Sequence, residues 1–192
     1  LQLHSDEETK AVSKRFFKET VNVYGIKTAL VSKIGKEIFK EIAHLSKDEI
    51  LDICEKLWQS DMLEETFIAC EWTYSKRKEF AASDIFRFKT WIEKYITNWA
   101  SCDTFCNHSV GYLMEKFPEN MSILKEMTHS QNRWMRRASA VSLIIPARKG
   151  LFKEDIFEIA NILLLDSDDM VQKGYGWMLK VCSQEHQQEV FE

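Results

Sequence analysis

The sequence predicts an all-helical fold, and three observations carry that prediction. Apolar residues recur at spacings of three and four almost everywhere and nowhere alternate over a sustained run, which is the period of a helix face rather than of a half-buried strand. Six glycines and two prolines among 192 residues are too few turn formers for a many-stranded sheet. Hydrophobic residues at 45% and charged residues at 29% are ordinary for a globular chain with a core, and exclude disorder and fibrous repeats. At this length a single domain over 1–192 is the expectation.

The helices follow in order. Ser5-x-x-Glu8 has capping-box spacing and opens an expected helix at 5–22, with Gly25 as the break after it. A helix at 28–43 comes next. Ser46-x-x-Glu49 is a second capping box, opening 47–58 with the stripe Ile50, Leu51, Ile53, Cys54, Leu57 and Trp58. After 62–76, Ser83 is the expected cap of 84–96 and Asp103 that of 103–117, which Pro118 ends. Helices at 120–128 and 131–145 run up to Pro146 and Gly150. The stripe Phe152, Ile156, Ile159, Ala160, Leu163 marks 153–164, and Asp168 caps 168–182. Helices of this length with short connectors suit either an irregular bundle or stacked pairs of the HEAT type, whose unit is roughly 40 residues. Periodicity alone does not choose between them.

No run approaches the roughly 18 apolar residues of a membrane helix, so no membrane partner is expected. The stretch Leu1 to Thr9 carries Asp6, Glu7 and Glu8 where an export signal would be basic and then apolar. The five cysteines are odd in number and form no Cys-x-x-Cys pair, which fits a reduced, cytoplasmic compartment. Cys102 and Cys106 stand near His108, but a structural zinc site needs four ligands and no second pair has suitable spacing, so no metal is expected.

Net charge is −4, so bulk electrostatics announces no nucleic-acid partner. The sign is nevertheless segregated. Basic groups gather between Lys10 and Lys40, between Lys76 and Lys89, and at Arg133, Arg136, Arg137, Arg148 and Lys149, while acids dominate Glu41 to Glu71 and the stretch after Glu154. On charge alone these read as solvated helix faces, and in a stacked array basic helices could share one phosphate-binding track.

Three segments pair an aromatic with charge: Trp99-Ala100-Ser101-Cys102-Asp103, Arg133-Trp134-Met135-Arg136-Arg137, and Val171-Gln172-Lys173-Gly174-Tyr175-Gly176-Trp177-Met178-Leu179. Read on the residues alone, Trp99 is packing and Asp103 a helix cap, while Trp58, Trp72, Trp91 and Trp134 are core, and His44, His108 and His129 are surface or satisfied core groups. The ordered set of three, however, resembles the DNA alkylation repair glycosylases built from HEAT-like repeats, the AlkD-like family, over most of the chain from Tyr24 to about Leu179.

The resemblance implies an α-α superhelix of HEAT-like helical repeats with a further C-terminal repeat beyond this chain's last residue. It implies a monomeric, monofunctional DNA glycosylase that excises N3- or N7-alkylated purines from double-stranded DNA, with no cofactor. By the same resemblance Asp103 is the catalytic carboxylate, and Trp99 and Trp177 flank the lesion nucleotide without flipping it into a deep pocket. Arg137 is then a DNA-backbone contact with Arg136 as its alternate; Lys173, four residues before Trp177 and so on its helix face, is a further candidate phosphate contact. The alternative from a different class is a non-catalytic HEAT-like scaffold for DNA or protein.

Overall fold

The computed structural model describes residues 1–191 and divides the chain into two compact units, Leu1–Phe80 and Ala81–Glu192. Among the described residues every regular element is helical, apart from one isolated bridge between Asn22 and Met62. No helix is long and apolar enough to cross a membrane.

The first unit holds α1 (Glu7–Lys14), α2 (Thr28–Ile42), α3 (Lys47–Gln59) and α4 (Leu63–Ser75). The Ser46 capping box forms as read, with Ser46 accepting from the Glu49 amide and Glu49 reaching back to Ser46. The first helix differs from expectation at both ends. Its cap is Asp6, which accepts from Thr9 N at 2.7 Å, while Ser5 bonds instead to Tyr24 O. It also stops at Lys14. Beyond it Val21 and Val23 are buried on either side of an exposed Asn22, an alternation that suits extended, β-branched backbone better than a helix. Asn22 O accepts from Leu63 N at 2.9 Å, and that bond spends on α4 a carbonyl that a longer α1 would have used internally.

A buried carboxylate fixes the next turn. Glu64 on α4 accepts from Tyr24 N, Gly25 N and Ile26 N at 3.0, 2.9 and 3.1 Å, so a charge that would be costly alone is satisfied by three backbone donors. Gly25 has a φ of 86°, and a Cβ there would lie 2.4 Å from Asp6 O. Only glycine fits.

The second unit begins with α5 (Asp84–Tyr95), whose start is held by Asp84 accepting from Ala81 N at 2.8 Å, and not by the expected Ser83. One long helical run follows: α6 (Trp99–Phe105), a π-helical turn over Cys106–Val110, and α7 (Gly111–Lys116). Then come α8 (Met121–Met127), α9 (Arg133–Val141), α10 (Ile144–Arg148), α11 (Lys153–Leu163), α12 (Asp169–Cys182) and α13 (Gln187–Phe191). Phe88, Trp91 and Phe105 form an aromatic core between α5 and α6, with centroids 5.2 to 5.9 Å apart. Trp58, Trp72, Trp91 and Trp134 are buried, and so are all five cysteines, none of them in a disulfide.

The expected helix at 131–145 is two helices. Pro146 has no N–H to give the carbonyl four residues back, Ser142 O, so the helix cannot run through it. The chain breaks at Ser142 and Leu143 and restarts as the short α10. Ser142 O is instead approached closely by α7, where a Cβ on Gly111 would stand only 2.7 Å away.

Candidate functional site

Asn98 sets the register of the helix that carries the site. Its side chain accepts from Ser101 N at 2.9 Å, so α6 starts at Trp99 and Asp103 falls in its second turn. The expectation that Asp103 caps a helix at 103 is thereby corrected. Asn98, three residues ahead of an amide with no intrahelical partner, takes the capping place, and the Asp103 carboxylate is left for another use.

That use is Arg137 on α9. Its Nε donates to Asp103 Oδ1 at 2.9 Å and its Nη2 to Oδ2 at 2.8 Å, a two-pronged pair whose planar geometry suits guanidinium and carboxylate. Its Nη1 donates to Met170 O at the start of α12, so one side chain ties α6, α9 and α12 together. Arg137 is only 5% exposed. Burial works against its charge, but the hydrogen bond and charge of Asp103 outweigh it and hold the guanidinium pKa above its ordinary value. Gly174 on α12 makes room, since a Cβ there would lie 3.1 Å from Arg137 Cγ. Removing one partner of a buried pair costs about 3–5 kcal/mol, because the other is left as an uncompensated charge.

Arg137 approaches Asp103 from the protein interior. The carboxylate, with its side chain 14% exposed, also reaches an open cleft of about 300 Å³. Thr104, Asn107 and His108 line the cleft from the same helical run, Ile144, Ile145 and Arg148 from α10, and Trp177 from α12. The π turn begins three residues after Asp103 and contains both Asn107 and His108; such turns recur at functional sites because they re-aim side chains within a helix. Asn107 is 8% exposed and its Oδ1 is buried with no hydrogen-bond partner. Loss of hydration in the cleft wall pulls the His108 pKa below its ordinary value. Among the described residues no three His, Cys, Asp or Glu side chains cluster as metal ligands.

The structure thus brings Asp103 and Trp177 into one cleft, with the Trp177 indole 38% exposed. Trp99 is half-buried one turn before Asp103 on α6 and is not part of that lining. Arg137, expected to meet a phosphate, spends Nε, Nη1 and Nη2 on protein acceptors. Its alternate, Arg136, is equally engaged: Nε and Nη2 on Asp166 at 2.5 and 3.3 Å, Nη1 on Ser130 O and Gln131 O. Despite its own burial, Asp166 is held below its ordinary pKa by that guanidinium and by the Asp168 amide. Lys173, one turn before Trp177, is exposed and pairs with Asp169 at 3.2 Å. Arg148, Asn107 and Thr104 line the cleft without having been singled out from sequence. Arg148 stood in the third basic group, but its place depends on the helix break that Pro146 creates.

The model for DNA alkylation repair enzymes matches residues 1–192. Among solved structures, one described as a "Predicted DNA alkylation repair enzyme from Enterococcus faecalis" superposes with a TM-score of 0.86 at 19% identity, covering 97% of this chain and 87% of that one. Among curated proteins, none matches in sequence. The structural likeness fixes the fold as the all-helical repeat fold of that protein, as the resemblance implied. With the family match running the full length, the chain belongs to the DNA alkylation repair enzyme family.

Proposed function

We propose that the protein is a monofunctional DNA glycosylase that excises N3- or N7-alkylated purines from double-stranded DNA, acting as a cytoplasmic monomer without a cofactor. The observation that carries the reading is the Asp103 carboxylate, held from behind by Arg137 and reaching an open cleft that an exposed indole also lines.

The chemistry needs little more. A purine alkylated at N3 or N7 is cationic, so its C1′–N bond breaks with the electron pair leaving on the base, which becomes neutral without a general acid. Positive charge passes to the deoxyribose as an oxocarbenium-like centre. A fixed carboxylate stabilises that centre, and it does so best when already oriented, as Arg137 orients Asp103. The two bonds to Arg137 use two of about four acceptor sites on the carboxylate, leaving others to hold a water. That water adds at C1′ and releases its proton to solvent by way of Asp103. Trp177, and Trp99 one turn before Asp103, would flank the lesion nucleotide, since indole faces attract cationic groups. An open cleft suits a nucleotide engaged from its sugar side better than a base swallowed in a deep pocket.

The test is release of free alkylpurine from methylated duplex DNA, read alongside binding to the same duplex. Release by the native protein supports the enzyme. Binding with no release, in native protein and Asp103→Asn alike, contradicts it and favours a non-catalytic scaffold.

A further inference from the structure

We propose that Arg148, with Asn107 beside it in the cleft lining, seats one phosphate of the strand whose sugar faces Asp103. The proposal rests on the glycosylase reading for the identity of the strand, and on the cleft itself for the seat.

The two arginines expected to grip the DNA backbone are committed elsewhere, Arg137 to Asp103 and Met170, Arg136 to Asp166 and two carbonyls. A phosphate contact within the cleft must come from another residue. Arg148 is exposed at the end of α10, and among the described residues nothing bonds or pairs with its guanidinium. Its neighbours differ in this respect. Lys149 is engaged by Glu115 at 2.7 and 2.8 Å, and Lys125 and Lys153 by acids on nearby elements. A guanidinium presents up to five donors in a fixed fork that matches two phosphate oxygens.

Asn107 gives the second, independent sign of a ligand. Its amide is more than nine-tenths buried, lines the cleft, and has a buried oxygen with no partner. A buried polar atom left unpaired costs about 1–3 kcal/mol. Turning the amide over exchanges that acceptor for two N–H donors, so Asn107 can meet a phosphate oxygen as readily as a bridging water.

The local charge agrees. Asp103 is offset by Arg137 behind it, and the His108 imidazole, held below its ordinary pKa by the cleft wall, is neutral at pH 7. Arg148 therefore sets the sign of the cleft lining, and Ile144 and Ile145 next to it on α10 give an apolar wall on which water competes poorly for the bond.

Duplexes carrying a tetrahydrofuran abasic analogue test this without requiring any bond to break. Binding is measured against salt for native protein, Arg148→Ala and Arg148→Lys. A second set of duplexes carries one uncharged methylphosphonate, on either side of the analogue. Arg148→Ala should weaken binding about ten-fold and lower the salt slope by about one, while Arg148→Lys keeps the slope. At one of the two positions the methylphosphonate should bring native protein down to the level of Arg148→Ala and cost the variant nothing more.

Equal affinity of native protein and Arg148→Ala overturns the seat, and so do full additional losses in the variant at both positions. A protein that binds as proposed yet never releases alkylpurine refutes the glycosylase reading and leaves the seat standing. Release of alkylpurine by native protein, with Arg148→Ala binding the duplex as tightly as native, refutes the seat alone.

Discussion

Arg137 grips both oxygens of Asp103, through Nε at 2.9 Å and Nη2 at 2.8 Å, while its Nη1 holds the first turn of α12 by Met170 O. The carboxylate and the helix that bears Trp177 are therefore positioned by one buried cation. Arg137→Ala should lower unfolding free energy by about 3–5 kcal/mol, since Asp103 is left charged and unpaired, as read from urea midpoints. In DNA binding the variant should keep the native salt slope, because all three guanidinium nitrogens already donate to protein acceptors. A slope that falls by about one would show instead that Arg137 turns outward to the backbone.

Two glycines of α12 make a matched pair. A Cβ on Gly174 would lie 3.1 Å from Arg137 Cγ and 3.5 Å from its Nη1, whereas one on Gly176 would meet nothing within 4 Å. Gly174→Ala should cost about 1–3 kcal/mol through overpacking and slow excision by displacing the cation behind Asp103. Gly176→Ala should gain about 0.5–1 kcal/mol from helix propensity. Thermal melts of the two variants check this, and two melting points moving in the same direction would contradict it.

Tyr24 supplies a pH signature within the first unit. Its hydroxyl donates to Glu65 at 2.7 Å, and that bond, with burial and the Glu65 charge, pushes its pKa from 10.0 up to about 12. The folded chain thus keeps the phenolic proton to higher pH than the unfolded one. The resulting stabilisation is fully present below pH 10 and drains away as pH rises toward about 12. The stability difference between native protein and Tyr24→Phe should shrink across that interval. A difference that stays constant from pH 9 upward would mean that the bond to Glu65 does not form.

On the proposed glycosylase reading, lesion charge is the lever on specificity. Trp177 is exposed beside the carboxylate, and an indole face favours a cation by about 0.5–2 kcal/mol. Trp177→Ala should reduce excision of 7-methylguanine several-fold, and neutral lesions such as uracil should not be released by either protein. Excision of uracil at a rate comparable to 7-methylguanine would remove the reason for an unassisted leaving group.

What the sequence made legible follows from how local each determinant is. The Ser46 capping box and the Asp168 cap are written within four residues, and both form as read. The end of α1 is not local: it depends on Asn22 giving its carbonyl to Leu63, far along the chain. Asn98 and Asp103 are both good caps, and spacing alone could not say which would start α6; the partner that claims Asp103 lies 34 residues away. The convergence of Asp103 and Trp177 came from the family motif and not from periodicity. The occupation of Arg137 and the exposure of Arg148 depend on burial, which a linear motif does not carry.

Single-turnover excision of 7-methylguanine from a defined duplex, comparing native protein with Asp103→Asn under conditions where both remain folded and bind the duplex, tests the central claim most directly. The account predicts a rate loss of about 10²–10³-fold with binding retained. Excision by Asp103→Asn within a factor of two or three of native would contradict it.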